Sequence, residues 1–204
     1  GASSNTGQPG DGQVELTGLQ TIVDDSAVLH TINPSSQPKW KAYVNSNSGT
    51  NRSITESLIT GSIMKVLTNS GKKPRLLVSA EGVNLAISNL LLSLKRNMEQ
   101  TQLKGGYAGI QFYSPSVSGK GDEAPTALYA DFDCPNNRLY GINPEVLVFH
   151  QVGDGFQFMD LDGAVMNRKP DLDAYEATLY MYGELACKQR NAHFVIKDVT
   201  EVTI

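Results

Sequence analysis

Residues 53–97 read SITESLITGSIMKVLTNSGKKPRLLVSAEGVNLAISNLLLSLKRN, and this stretch changes from a helical pattern to a strand pattern and back. Ser53 and Glu56 stand at the spacing of a capping box, and the residues after them predict a helix that Gly71 ends. Leu76-Leu77-Val78 follows Pro74 as a short buried strand, and a second helix is predicted to run to about Asn97. The apolar residues that recur at helical spacing in the first helix are Ile54, Leu58, Ile59, Ile63, Val66 and Leu67.

Downstream of this stretch the apolar residues alternate with a period of two, which predicts strands. Tyr175–Leu185 is long, alternating and aromatic, and we expect one long strand with a bulge or bend at Gly183. Phe194-Val195-Ile196 predicts a last strand after a turn. The second half is therefore mostly β, and the fold class is α+β. The other alternating positions are Ile110, Phe112, Leu128, Ala130, Phe132, Val146, Val148, Phe156 and Phe158.

Upstream, the chain is less regular. Residues 1–13 are rich in Gly, Ser, Asn and Gln and predict an exposed lead-in. Thr17–Asp24 predicts a short helix or a packed turn, and Val28–Ile32 alternates as a strand before Pro34. The chain begins without Met and without a charged, apolar leader, so we expect a processed or trimmed chain that carries no signal peptide.

Composition and charge exclude several classes of protein. Apolar residues make up 40% of the 204 residues and charged residues 19%, which favours a folded domain over a disordered chain. The net charge is −4 and no basic stripe is present, so direct nucleic-acid binding is not expected. The longest apolar stretch, within 86–94, is far shorter than the roughly 20 residues that a membrane-spanning helix needs.

Cysteine and histidine give no sign of a metal or nucleophilic site. Cys134 and Cys187 are too few for a disulfide framework and lack ligand spacing, so we expect reduced, buried thiols. His30, His150 and His193 lie far apart, and structural roles are expected for them. We therefore predict no catalytic residue, no cofactor and no metal ligand.

A carboxylate site is the alternative interpretation. Asp160-Leu161-Asp162-Gly163 resembles part of a calcium loop but lacks its third ligand and closing Glu. Asp131 and Asp133 could join Asp160 and Asp162 as a metal site or a glycosidase-like pair. The alternative function is then a calcium-dependent binding module or a hydrolase, although Asp is also the ordinary residue of turns.

Two glycine-rich segments do not match a phosphate-binding loop. Gly106–Gly109 and Ser118–Asp122 lack the Gly-x-x-x-x-Gly-Lys-Ser/Thr pattern. Residues 116–125 instead predict an exposed, mobile loop.

Several segments of the C-terminal half resemble, in the same order, the major capsid proteins of tailed phages and prophages. They are Asp133–Pro144 (DCPNNRLYGINP), Val148–Gln151 (VFHQ), Phe158–Gly163 (FMDLDG), Asp173–Leu185 (DAYEATLYMYGEL) and Asn191–Lys197 (NAHFVIK). Upstream, Gly10–Gly12 and Leu16–Leu19 are similar to the stretch that follows the long spine helix of the Hong Kong 97 capsid fold. The family's N-terminal arm, extended loop and spine helix would precede residue 1.

This resemblance implies a Hong Kong 97-like α+β fold, with a central sheet flanked by helices in an axial domain and part of a peripheral domain. Residues 1–37 would be the peripheral-domain lead-in, residues 38–140 would be axial-domain-like, and residues 141–204 would supply peripheral and returning C-terminal strands. The loop at 116–125 would face a neighbouring subunit or solvent at the capsomer axis.

The function that the resemblance implies is structural. Copies of the full-length protein would assemble through pentamers and hexamers into the icosahedral head shell that encloses phage DNA, together with a scaffold protein and a portal. The protein would be made in the bacterial cytoplasm and end in the virion, with no membrane or specific nucleic-acid partner. An encapsulin-type compartment shell is an alternative, because the two kinds of shell share the fold.

Overall fold

The computed structural model describes residues 16–93, 100–102, 108–112, 126–160, 163–169 and 173–202. Helices are α1 (Leu19–Ile22), α2 (Glu56–Ser70) and α3 (Glu81–Ser93), and single 3-10 turns occupy Pro38–Trp40, Pro144–Val146 and Arg190–Ala192. The strands are β1 (Tyr43–Asn45), β2 (Leu76–Ser79), β3 (Gln100–Gln102), β4 (Ala108–Phe112), β5 (Thr126–Ala130), β6 (Leu139–Ile142), β7 (Leu147–Phe158), β8 (Asn167–Arg168), β9 (Tyr175–Glu176), β10 (Leu179–Cys187) and β11 (Phe194–Ile196).

Seven strands form a central mixed sheet in the order β1-β11-β6-β2-β5-β4-β3. The pairs β1–β11 and β2–β5 are parallel, and the other neighbours are antiparallel. The last strand, β11, therefore lies between β1 and β6, and both of these neighbours in the sheet are far from it in the sequence. This arrangement of a mixed sheet with few helices confirms the predicted α+β class.

The two faces of the sheet carry two separate core clusters. On one face, α2 and α3 pack through Ile63 and Ile87 against Leu77 of β2 and Phe194 of β11. On the other face, residues of the segment 19–29 cover Val195 and other alternating strand residues. Because successive side chains of a strand point to opposite faces, β11 contributes to both clusters. Helices α2 and α3 are thus on one face, and the N-terminal segment with α1 is on the other.

Helix α2 confirms the predicted helix but begins later than expected. Thr55 is its N-cap, with Oγ1 accepting the Leu58 N–H at 3.2 Å, so the predicted cap at Ser53 is wrong. The reason is a hydrophobic staple: Ile54, which precedes the cap, is buried in the same cluster as Ile59 in the first turns of the helix. Gly71 ends the helix with a φ of 71°, as predicted.

The strand predictions are confirmed for β2, β4 and β11 and are wrong in three places before β7. Residues Val28–Ile32 form a tight turn, in which Leu29 and Ile32 bridge and His30 has a positive φ of 50°. Strand β5 ends at Ala130, so Phe132 lies beyond it. Val146 lies in a 3-10 turn. The predicted end of the second helix, near Asn97, lies outside the described residues.

Strands β7 and β10 pair antiparallel and form a separate ribbon, and a β8–β9 pair follows it. The predicted single strand over 175–185 is therefore wrong: β9 and β10 are separate, and Gly183 sits in regular register opposite Gln151. The irregularity falls instead between Tyr180 and Tyr182. It arises on the partner strand, where Gly153 and Gly155 have positive φ values of 76° and 96°.

Candidate subunit interface

The β7–β10 ribbon carries large apolar side chains on its surface. Val152 and Tyr182 are directly paired across the ribbon and are 74% and 61% exposed, and Phe156 is 70% exposed. The other exposed apolar residues of the ribbon and its β8–β9 extension are Phe149, Phe158, Val165, Met166, Tyr175 and Leu179. We call these nine residues the ribbon patch. An exposed apolar surface of this kind marks a site of contact with another molecule.

The ribbon itself cannot supply a core for these side chains. Among the described residues, no third strand pairs with the ribbon. A hairpin of two strands is marginally stable on its own. Burying one Phe or Val side chain stabilises by about 1.5–3 kcal/mol. Covering the ribbon patch with another protein surface would therefore stabilise both the ribbon and the complex.

The base of the ribbon is fixed to the body of the protein. Lys188 N–H donates to the Val146 carbonyl at 2.8 Å, which closes the ribbon where it leaves the sheet. Leu147 and Leu185 pack against the second core cluster, and Cys187 is buried within it. The ribbon is thus anchored to the body at its base, and its apolar residues farther along, such as Phe156, lie beyond that anchor.

Two ion pairs lie on the β8–β9 extension. Lys169 Nζ is 3.1 Å from Glu176 Oε2, and Arg168 Nη2 is 3.6 Å from Asp173 Oδ1. All four side chains are well exposed, so the pairs contribute little stability. They do place charge beside the apolar residues, which is the arrangement of an apolar centre with a polar rim seen in protein interfaces.

A groove of about 610 Å³ lies at the base of the ribbon, between α1 and the turn that follows β5. Its apolar lining includes Leu19, Tyr140, Phe149 and Leu185. Cys134 also lines it, and burial raises the pKa of this thiol to about 11, with the Asp131 charge adding to the effect. The thiol stays protonated near neutral pH, which is unsuited to a nucleophile.

The four predicted carboxylates do not all come together. Asp131 and Asp133 share one turn, in which Asp131 Oδ1 accepts the Asp133 N–H at 3.0 Å. Asp160 closes a separate turn by accepting the Gly163 N–H at 2.7 Å. Asp162 lies outside the described residues.

The ribbon keeps Asp160 away from the Asp131–Asp133 turn. Leu185 lines the groove beside that turn, while Leu179 pairs with Phe158, two residues before Asp160. Six residues of strand at about 3.3 Å each separate Leu185 from Leu179 by about 20 Å. Within the described residues, no group of three or more His, Cys, Asp or Glu side chains is placed to hold a metal ion.

The cysteines and two of the histidines have the structural roles that the sequence predicted. Cys134 and Cys187 are free and buried. His30 Nε2 accepts the Cys187 N–H at 3.3 Å, and His193 Nδ1 accepts the Asn143 N–H at 3.2 Å. His150 lies exposed on β7. The two accepting histidines hold backbone groups at the points where the ribbon joins the body.

Arg190 is a structural residue that sequence reasoning missed. Its side chain is fully buried and donates three hydrogen bonds, to the carbonyls of Ile22, Ala27 and Thr21 at 2.7, 2.7 and 2.8 Å. It thereby holds the N-terminal segment against the sheet. Its neighbours Lys188, Gln189 and Asn191 predict only an exposed turn, so no signal in the sequence marks this arginine as buried.

The described residues include no helix that is both long and apolar enough to cross a bilayer. Neither a protein-family model nor a curated protein matches the sequence. Solved structures do match. The chain is similar to a chain of the cyanophage A-1(L) capsid asymmetric unit, with 18% identity and a TM-score of 0.53 over 84% of this chain. The chain has the Hong Kong 97-like capsid fold.

This chain covers 55% of that cyanophage capsid chain, so it spans about half the length of the protein that it matches. It is also similar to a chain of the holo-SrpI encapsulin complex from Synechococcus elongatus, with 14% identity, a TM-score of 0.47 and coverage of 87% of this chain and 59% of that one.

Proposed function

We propose that this chain is the later part of a phage or prophage major capsid protein, whose copies assemble into the icosahedral head shell that encloses DNA. Such a protein acts through repeated contacts between identical copies rather than through a cleft. The capsid-type fold supports this role. The ribbon patch carries the proposal, because nine large apolar side chains lie exposed on an element that has no core of its own.

The division into domains follows the same proposal. Residues 38–140 form most of an axial domain, and residues 1–37 with 141–204 contribute to a peripheral domain that includes the ribbon. Strand β11 belongs with the axial sheet, since it pairs with β1 and β6. The proposed boundary at 140 falls within β6, whose last residues, Gly141 and Ile142, still pair with β2 in the central sheet. The loop at 116–125, which lies outside the described residues, is assigned to the capsomer axis.

The partners of the protein are copies of itself in pentamers and hexamers, with a scaffold protein and a portal during assembly. It is made in the bacterial cytoplasm and ends in the virion. The acidic chain suits a shell wall that encloses DNA without a tight grip on phosphates.

Electron microscopy of the expressed full-length protein that contains this chain tests the proposal. We expect closed icosahedral particles. Nuclease treatment followed by extraction then separates two kinds of shell: protected DNA in particles from infected or induced cells favours a phage head, whereas co-purifying enzymes favour an encapsulin-type compartment. A full-length protein that stays a monomer under all assembly conditions would contradict both.

A double variant tests the ribbon patch directly. Phe156→Glu with Tyr182→Glu places two charges where an apolar contact is proposed, and we expect particles to be lost while the circular dichroism spectrum is unchanged. Leu85→Glu is the matched control, because Leu85 is exposed on α3, outside the ribbon. Normal particles from the double variant would show that the ribbon patch is not buried in the shell.

A further inference from the structure

The direction of the strands gives the central sheet two chemically distinct ends. Strands β1 and β11 are parallel, β2 and β5 are parallel, and both β11 and β2 run antiparallel to β6. All four of β1, β2, β5 and β11 therefore start at one end of the sheet, which we call the amino end, and finish at the other, the carboxyl end.

The amino end is basic. Lys39 and Lys41 precede β1, Lys72 precedes β2, and Lys188 lies beside Val146, which follows β6 at this same end. Lys39, Lys41 and Lys188 are exposed. Among the described residues at this end, the acid Glu145 forms an ion pair with Arg75 at 3.1 Å. The exposed lysines therefore leave a net positive charge on the described residues at this end.

The carboxyl end is acidic. Glu81 follows β2, Asp131 and Asp133 follow β5, and Asp198 and Glu201 follow β11. Glu81, Asp131 and Asp133 are exposed.

The basic residues at the carboxyl end bond to other groups. Lys197 pairs with Asp24 at 3.6 Å, Arg52 donates to Asn45, and Arg138 donates to the Tyr140 hydroxyl. Lys197 is neutralised by Asp24, whereas Arg52 and Arg138 donate to neutral groups and keep their charges. The carboxylates at this end outnumber those two arginines, so the described residues here carry a net negative charge.

An apolar side chain stands in the middle of these acids. Phe132 is 88% exposed, yet its turn is held by hydrogen bonds from Asp131 N–H to the Ser79 carbonyl at 2.9 Å and from Cys134 N–H to the Asp131 carbonyl at 3.1 Å. It borders a groove of about 340 Å³ that Glu81 and Glu201 also line. A large apolar side chain on a fixed turn is the kind of residue that dominates the energy of a protein contact.

We propose that the carboxyl end of one copy binds the amino end of the next, with Phe132 as the apolar anchor and the lysines facing the carboxylates. This inference rests on the proposed function, which supplies the second copy. A contact between two different ends of identical chains is heterologous, and it closes into a ring when the rotation between copies allows. The proposal thus assigns the contact that builds a pentamer or hexamer around its axis.

Charge also decides against the alternative arrangements. Two carboxyl ends facing each other across a two-fold axis would place acids against acids, and two amino ends would place lysines against lysines. Unlike ends attract, which steers encounter and fixes the orientation of neighbours.

Charge reversal in the full-length protein tests the inference. The first variant, Lys39→Glu with Lys41→Glu and Lys188→Glu, makes the amino end acidic like the carboxyl end. The second, Glu81→Lys with Asp133→Lys, makes the carboxyl end basic like the amino end, because Arg52 and Arg138 also keep their charges there. We expect each alone to lower the yield of capsomers by about tenfold or more at about 0.15 M salt. An equimolar mixture of the two should recover hexamers, because copies that alternate around an even-numbered ring place each acidic end against a basic one. Lys65→Glu, on the exposed face of α2, is the control and should assemble normally.

If the mixture assembles, both variants must be folded. Misfolding is then excluded as the cause of the capsomer loss seen with each variant alone. If either variant alone assembles like the wild type, or if the mixture forms no hexamers while both variants stay folded, the end-to-end contact is wrong and the shell proposal still stands. If the wild-type full-length protein forms no oligomer at all, both proposals fall together.

Discussion

His193 makes the stability of this protein depend on pH in a predictable direction. The side chain is fully buried, its Nδ1 accepts the Asn143 N–H, and its Nε2 lies 3.5 Å from Cys187 Sγ. The neutral ring therefore carries its proton on Nε2. Burial, with a smaller effect of the Arg190 charge, lowers the pKa of His193 from 6.5 to about 4. The folded protein thus holds this histidine neutral at pH values where an exposed histidine is charged.

The unfolded chain binds a proton at this histidine near pH 6.5, whereas the folded chain does so only near pH 4. The stabilisation is fully present above pH 6.5 and is lost as the pH falls towards 4. At about 1.4 kcal/mol per pH unit, this difference in pKa corresponds to about 3 kcal/mol of unfolding free energy.

Asp24 acts at lower pH. Burial alone would raise its pKa, but hydrogen bonds from Ser26 and Ala27 and the Lys197 charge outweigh burial and hold the pKa at about 2. Its contribution is therefore present above the ordinary value of 3.8 and is lost below it. The two effects fall in separate pH ranges.

Urea unfolding at a series of pH values measures the effect of His193. We expect the wild-type unfolding free energy to fall by about 3 kcal/mol between pH 6.5 and 4, and His193→Gln to remove most of this slope. His150→Gln, which changes an exposed histidine on β7, should leave the slope intact. The reasoning is refuted if His193→Gln keeps the full wild-type slope, because the proton would then be taken up elsewhere.

Substitutions at Gly141 and Arg190 test the core. A Cβ on Gly141 would overlap the buried Phe194 ring, so we expect Gly141→Ala to lower the free energy of unfolding by about 3 kcal/mol or more. Gly61 lies on α2 with open space around it, so Gly61→Ala should raise the free energy of unfolding by up to about 1 kcal/mol. Equal urea midpoints for the two would contradict this packing. Arg190→Lys should cost about 3 kcal/mol and speed protease cleavage within 19–27, because one ammonium cannot replace three fixed guanidinium bonds. Unchanged cleavage would show that the segment does not depend on this arginine.

The local predictions that the structure confirms are those with strong, short-range causes. Helix α2 follows from apolar spacing and from a glycine that can adopt the left-handed conformation at Gly71. Strand β2 follows from a run of branched residues after Pro74, and β11 from three consecutive apolar residues. These causes act over a few residues, so the sequence displays them directly.

The errors fall where the burial of one side chain or a hydrogen bond within a turn overrides the repeating pattern. Ile54 is held in the core by Ile59, which moves the cap from Ser53 to Thr55. Asp131 turns the chain before Phe132 and leaves that ring in solvent, against the alternating pattern.

The sequence likewise predicted only part of the candidate interface. The sequence indicates aromatic strands in 147–187 but not which of their side chains stay exposed, because exposure depends on whether another element covers the strand. Likewise, the lysines and the acids are scattered along the chain, and only strand direction collects them at opposite ends of the sheet.

The sequence by itself determined the α+β class, most helices and central strands, and the reduced state of both cysteines. It also showed that no recognisable nucleophile or phosphate-binding motif is present. Local periodicity, turn chemistry and motif spacing are sufficient for these conclusions. Only the tertiary structure decided that β11 returns between β1 and β6, that Arg190 is buried, and that the ribbon lies exposed. Strand order, burial and exposure are set by contacts between residues far apart in the chain, and no local pattern records those contacts.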